Sequence, residues 1–98
     1  MYSIQLTRQA KKDAVDIERA GFKPKVSEIL SNVKKNPFEE SQEFEKLRGN
    51  MKGLYSRRIN IKHRFVYGVL PNSENLTDAD GVPYEGIVKV ISMWTHYE

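Results

Sequence analysis

The sequence predicts an α+β fold: a two-helix hairpin packed on one face of a twisted antiparallel sheet of about four strands, in the order β-α-α-β-β-β. Three observations lead there. A short alternating run opens the chain, two helical stripes follow it before residue 36, and three β-rich runs are gathered after residue 52. Strands collected behind a helical pair favour helices segregated to one side of a sheet, which leaves the other side open.

Each element has a local reason. Tyr2, Ile4 and Leu6 alternate with Ser3 and Gln5, a strand signal. Thr7 is placed to cap the helix that follows. Ala10, Ala14 and Ile17 form its one narrow apolar stripe, and Arg8, Lys11, Lys12, Asp13, Asp16, Glu18 and Arg19 read as its charged surface. Gly21 is a natural C-terminal stop. Pro24 suits the first turn of a second helix, and Val26, Ile29, Leu30 and Val33 recur at i, i+3, i+4 and i+7. Lys34 and Lys35 favour the carbonyl end of that helix, which Asn36-Pro37 terminates.

Residues 37–51 have no clear period and read as a loop, pinned by Phe38, Phe44 and Leu47 with Glu39, Glu40, Glu43 and Glu45 outward. Strands follow near 53–60 and 63–70, the first drawing on Leu54, Tyr55, Ile59 and Ile61. Residues 71–86 are turn-rich and acidic, an extended hairpin connection with no core of its own. Residues 87–95 are apolar enough for a central strand buried on both faces.

Size and composition bound the function. A chain of 98 residues suits a single domain, 1–98, with one small core. Hydrophobic content of 39% and charged content of 30% describe a globular chain rather than a disordered one. No apolar run approaches the ~20 residues needed to span a bilayer, and the opening residues lack the pattern of a signal peptide. The absence of cysteine excludes disulfides and thiolate metal sites, so a cytoplasmic home is expected. His63 and His96 bring no further ligands at metal-binding spacing, and no metal or other cofactor is expected.

The net charge is only +3, but Lys46, Arg48, Lys52, Arg57, Arg58, Lys62 and Arg64 concentrate in the middle of the chain. A cationic platform on a strand pair attracts polyanions, with nucleic acid or an acidic protein segment as the leading partners. On residue chemistry alone the alternatives stay open. Glu45 is also readable as a surface carboxylate paired with Arg48, Arg64 as half of a cross-strand ion pair, and His96 as a frayed terminal histidine. His63, beside the same arginines, is assigned to hairpin structure.

Five segments narrow the choice: Asn36-Pro37-Phe38, Glu45-Lys46-Leu47-Arg48-Gly49-Asn50, Gly53-Leu54-Tyr55-Ser56-Arg57-Arg58-Ile59, His63-Arg64-Phe65-Val66-Tyr67 and the ending His96-Tyr97. In this order and spacing the chain resembles the YoeB/Txe toxins of bacterial type II toxin–antitoxin modules, within the RelE/ParE superfamily. It departs from them in Glu98 after the tyrosine and, relative to the shorter members, in a longer connection at 71–86. The resemblance implies a RelE/YoeB-like fold with a site similar to that of small microbial ribonucleases. It implies a toxin that acts as a ribosome-dependent mRNA endonuclease, with mRNA in the ribosomal A site and the ribosome as partners. It also implies a cognate YefM/Phd-type antitoxin and frequent homodimerisation.

For the site, the resemblance implies Glu45 as general base, His96 as general acid, Arg64 as phosphate clamp and Tyr97 as the residue that orients substrate. Arg48 and Arg58 match positions that support the phosphate or contact RNA. Those residue types suit the chemistry. RNA carries its own nucleophile, the 2′-hydroxyl, and cleavage needs a base for that proton and an acid for the departing 5′-oxygen. Charge builds on the non-bridging oxygens, where a guanidinium fork matches it. The competing reading is a non-enzymatic ParE-like inhibitor on the same scaffold, which would not need the Glu45, Arg64 and His96 set. A basic RNA-binding module without turnover is the third.

Overall fold

The computed structural model describes residues 1–41 and 43–94. In chain order these form β1 (Ser3–Leu6), α1 (Arg8–Arg19), α2 (Lys23–Lys35), β2 (Phe44–Lys46), a 3-10 turn (Gly49–Met51), β3 (Leu54–Arg58), β4 (Arg64–Leu70) and β5 (Ile87–Ser92). The strands make one sheet in the order β1-β5-β4-β3-β2.

The α+β class stands, with two corrections to the sheet. Among the described residues it has five strands, because residues 44–46 pair antiparallel with β3 inside the stretch expected to be loop. It is mixed, because β1 runs parallel to β5 while the other pairs are antiparallel. The helical hairpin packs on the sheet and joins β1 at one edge to β2 at the other.

The helix signals hold. Thr7 accepts the Ala10 N–H at 3.0 Å through its hydroxyl oxygen, and that hydroxyl donates to the Ile91 carbonyl at 2.7 Å. One side chain thus starts α1 and fastens it to β5. Gly21 takes φ +82° just past the helix end, a conformation that disfavours any side chain. Val26, Ile29 and Val33 of α2 are buried against Phe65, Tyr67, Val88 and Val90.

Two side chains sit elsewhere than expected. Asp13 was expected on the charged surface of α1, yet it is 2% exposed. Its carboxylate accepts the Gln9 side-chain N–H at 2.8 Å and the Met93 backbone N–H at 2.9 Å. Arg57 was expected on the cationic platform and instead turns toward the helices, 5% exposed. Its Nε donates to the Tyr67 hydroxyl at 3.2 Å, its Nη2 donates to the Glu39 carbonyl at 3.1 Å, and its guanidinium lies 5.3 Å from the centre of the Phe44 ring. Burial pushes the Tyr67 hydroxyl above its usual range, and the nearby Arg57 pulls it the other way.

β5 lies between β1 and β4, as a central strand should. It ends at Ser92 rather than 95, and with Lys89 exposed and Ile91 half-buried it is not buried on both faces. The 71–86 connection is held by Asn72, whose side-chain N–H groups donate to the Leu76 and Tyr84 carbonyls while its oxygen accepts the Leu76 N–H. None of the described helices is long and apolar enough to cross a membrane.

Candidate active-site cleft

The register of β2 sets the site. Glu45 lies opposite Ser56 on β3, and Ser56 lies opposite Val66 on β4. Residues directly across antiparallel strands project from one face. Phe65 and Tyr67 belong to the core under the helices, so Glu45, Ser56 and Val66 face the other way. Arg64, two residues before Val66, shares that side. Glu45, Leu47, Ser56, Ile61, Lys62 and Arg64 line a cleft of about 480 Å³. Ser56 is buried beneath it, Arg64 is half-buried and Glu45 is exposed.

The turn joining β3 to β4 is tightly tied. The Asn60 side-chain oxygen accepts the backbone N–H groups of Lys62 at 2.8 Å and His63 at 2.6 Å. Ile59 N–H donates to the His63 carbonyl at 3.0 Å. Arg64 Nη1 donates to the Asn60 carbonyl at 2.9 Å and to the His63 carbonyl at 3.3 Å. The guanidinium is therefore oriented by backbone carbonyls of its own turn. His63 is buried with its ring stacked on Trp94, centroids 3.9 Å apart and planes 18° apart. Its hairpin role in the sequence reading fits this packing.

The structure brings Glu45 and Arg64 to one cleft. Arg48 lines an adjoining groove of about 340 Å³ with Lys46, Lys52 and Tyr55, and Leu47 borders both spaces. Arg58 does not line the Glu45 cleft. It faces a depression at the sheet edge shared with Lys25, Glu28 and Glu43. His96 and Tyr97 lie outside the described residues.

Three lining residues went unremarked in the sequence as parts of a site: Leu47, Ser56 and Ile61. Ile61 was read as a strand residue, but it sits in the turn and is 90% exposed. The signal was available in Asn60, whose side chain favours turns. Chemically, the cleft offers a carboxylate that can accept a proton and an oriented guanidinium that can grip an oxyanion, within one small space.

A family model described as the YoeB-like toxin of bacterial type II toxin–antitoxin systems matches residues 10–97. A Toxin YoeB of Escherichia coli O6:H1 is 41% identical over 49 residues, which is 50% of this chain and 58% of that protein; the alignment thus spans little more than half of the relative. Among solved structures, a YoeB/ParE toxin from Agrobacterium tumefaciens superposes with a TM-score of 0.77 at 28% identity, covering 97% of this chain and 99% of the other. A YoeB–YefM complex from Staphylococcus aureus gives a TM-score of 0.69 at 30% identity, covering 99% of each chain.

Proposed function

The chain belongs to the YoeB-like toxin family of bacterial type II toxin–antitoxin systems, and from that premise we propose that it is a ribosome-dependent mRNA endonuclease of the cytoplasm that arrests translation. The observation that carries the reading is the shared cleft: Glu45 on β2 and Arg64 beside the β3–β4 turn face one space on the side of the sheet away from the helices.

The step is an internal transesterification. Glu45 takes the proton of the 2′-hydroxyl as that oxygen attacks the adjacent phosphorus. Arg64 holds the non-bridging oxygens as their charge grows. His96 gives a proton to the 5′-oxygen as the P–O5′ bond breaks, leaving a 2′,3′-cyclic phosphate and a free 5′-hydroxyl. Tyr97 orients the substrate. Each proton transfer contributes ~10²–10⁴-fold. The nucleophile is already part of the RNA, so no metal is required to generate one. Arg48 and Lys52 extend the cationic surface along the adjoining groove, and Arg58 meets RNA at the sheet edge outside the cleft.

The partners in this proposal are the ribosome with mRNA in its A site and, by extension from the S. aureus YoeB–YefM complex, a YefM-type antitoxin. Self-association of the free toxin belongs to the same reading and is measured by its mass in solution.

Primer extension on mRNA in a translating extract, comparing the parent with Glu45→Ala, is the test. The parent should cut within the translated frame, and the variant should lose activity by ~10²–10⁴-fold while melting like the parent. A variant that cuts at the parent rate would remove Glu45 as base. Growth arrest by the parent with mRNA left whole would favour the ParE-like inhibitor instead.

A further inference from the structure

Among the exposed large apolar side chains of the described residues, Ile61 at 90% stands well above the next, Met1 and Val82 at 57%. A single apolar residue on a surface ordinarily needs no explanation. Ile61 differs in where it sits and in how it is held. It occupies the tip of the β3–β4 turn, a position where small polar residues are usual. It also borders the same cleft as Glu45 and Arg64.

The turn beneath it is built through Asn60. The Asn60 side-chain oxygen ties down the N–H groups on the far side of Ile61, those of Lys62 and His63. The Asn60 backbone carbonyl accepts Arg64 Nη1 at 2.9 Å. One residue therefore fixes both the apolar tip and the guanidinium, and the two are spaced as a unit. Single-stranded RNA is recognised mainly through unstacked bases packed on side chains, next to phosphates held by cations. A β-branched side chain loses little rotamer freedom when it serves as such a wall. The charged lining of the cleft, Glu45, Lys62 and Arg64, suits a nucleotide better than an apolar peptide side chain.

We propose that the β3–β4 turn is a substrate-reading element in which Ile61 packs on the nucleobase beside the scissile phosphate while Arg64 grips that phosphate, with Asn60 setting the spacing of the two. The inference rests on the endonuclease reading for the identity of the phosphate.

The experiment measures binding to ribosomes programmed with mRNA that carries a 2′-deoxy nucleotide at the cut position, which blocks cleavage. One mRNA has every base; the other has an abasic position next to the cut. Ile61→Ser should weaken binding to the complete mRNA about tenfold and leave binding to the abasic mRNA unchanged. The parent should lose about the same factor on going to the abasic mRNA, and Ile61→Phe should keep the parent's preference. Equal losses on both mRNAs, or none on either, would overturn the base contact. So would a loss seen only against a purified YefM-type antitoxin, which would make Ile61 a protein contact. If the parent discriminates between the two mRNAs but leaves an all-ribose mRNA uncut, the reading element stands and the nuclease does not.

Discussion

Arg57 and Arg64 occupy neighbouring strands and differ in almost everything else. Arg57 stands opposite Phe65, one residue from Arg64 along β4. A step of one residue along a strand reverses the face a side chain occupies. Arg57 therefore lies under the helices, where it donates to Tyr67 and to the Glu39 carbonyl and covers Phe44. Those contacts gather the segment between α2 and β2 onto the sheet. Arg64 lies on the other side, held by its own turn and facing the cleft. The buried arginine helps to place the strand that carries Glu45; the cleft arginine faces the same space as Glu45. An arginine cluster in a sequence can thus conceal a division between building a site and lining it.

The contrast is sharpest under truncation. Arg64→Ala should lower cleavage of ribosome-bound mRNA by about 10²–10³-fold, the usual effect of removing one group that stabilises developing charge. Its melting temperature should stay near the parent's, because the hydrogen bonds that Arg64 makes among the described residues lie within one turn. Arg57→Ala should do the reverse. It removes three hydrogen bonds, to the Tyr67 hydroxyl and the Asn36 and Glu39 carbonyls, and a cation–π contact from the interior. The cost is about 3 kcal/mol, or on the order of 15 °C in melting temperature for a chain of this size. Thermal melts and primer extension on both variants decide the matter. An Arg57→Ala protein that melts like the parent but cannot cut would erase the distinction drawn here.

That distinction was only partly legible in the sequence. The helices were, because Val26, Ile29, Leu30 and Val33 give a full stripe and Thr7 and Gly21 mark ends that physics favours. Strand β2 was not: three residues are too few to show a period, and its place comes from pairing with β3. Glu45 was consequently singled out by resemblance, while the strand that presents it stayed hidden. Arg57 was readable in principle. Tyr55 and Arg57 share a face, and Tyr55 pairs with the buried Tyr67, but a run of adjacent arginines looks like a surface. The parallel pairing of β1 with β5 depends on contacts more than eighty residues apart, and no local pattern announces it.

Asp13 follows the same lesson on α1. Ala10, Asp13, Ala14 and Ile17 fall at i, i+3, i+4 and i+7, so the carboxylate completes the apolar stripe rather than opposing it. A charged residue in such a position should signal a specific partner, here the Met93 N–H just past β5. Asp13→Ala should cost about 2 kcal/mol, because it leaves that buried N–H unsatisfied. Asp13→Asn keeps an acceptor of the same size and should cost less than half as much, with Gln9 free to present its oxygen to the new amide. Chemical denaturation of the two variants measures the difference. Equal losses would mean that the charge, not the hydrogen bond to β5, is what the site requires.

Tyr67 gives the smallest expected effect and tests the buried side of the arginine comparison directly. Its hydroxyl accepts from Arg57 and donates to the Pro37 carbonyl at 2.6 Å. Tyr67→Phe should cost about 1 kcal/mol at neutral pH. The pH dependence has a definite sign. Burial raises the folded-state pKa of Tyr67 above its unfolded value, so the native chain keeps this proton after the unfolded chain has lost it. The associated stabilisation is complete below about pH 10 and is lost as pH rises beyond that toward the folded pKa. Urea unfolding at neutral pH and again above pH 10 should show the parent's advantage over Tyr67→Phe shrinking, with the other tyrosines cancelling between the two proteins. An advantage that grows with pH would mean that Arg57 stabilises the phenolate more than burial opposes it, and the interior arginine would then be acting as a charge rather than as a hydrogen-bond donor.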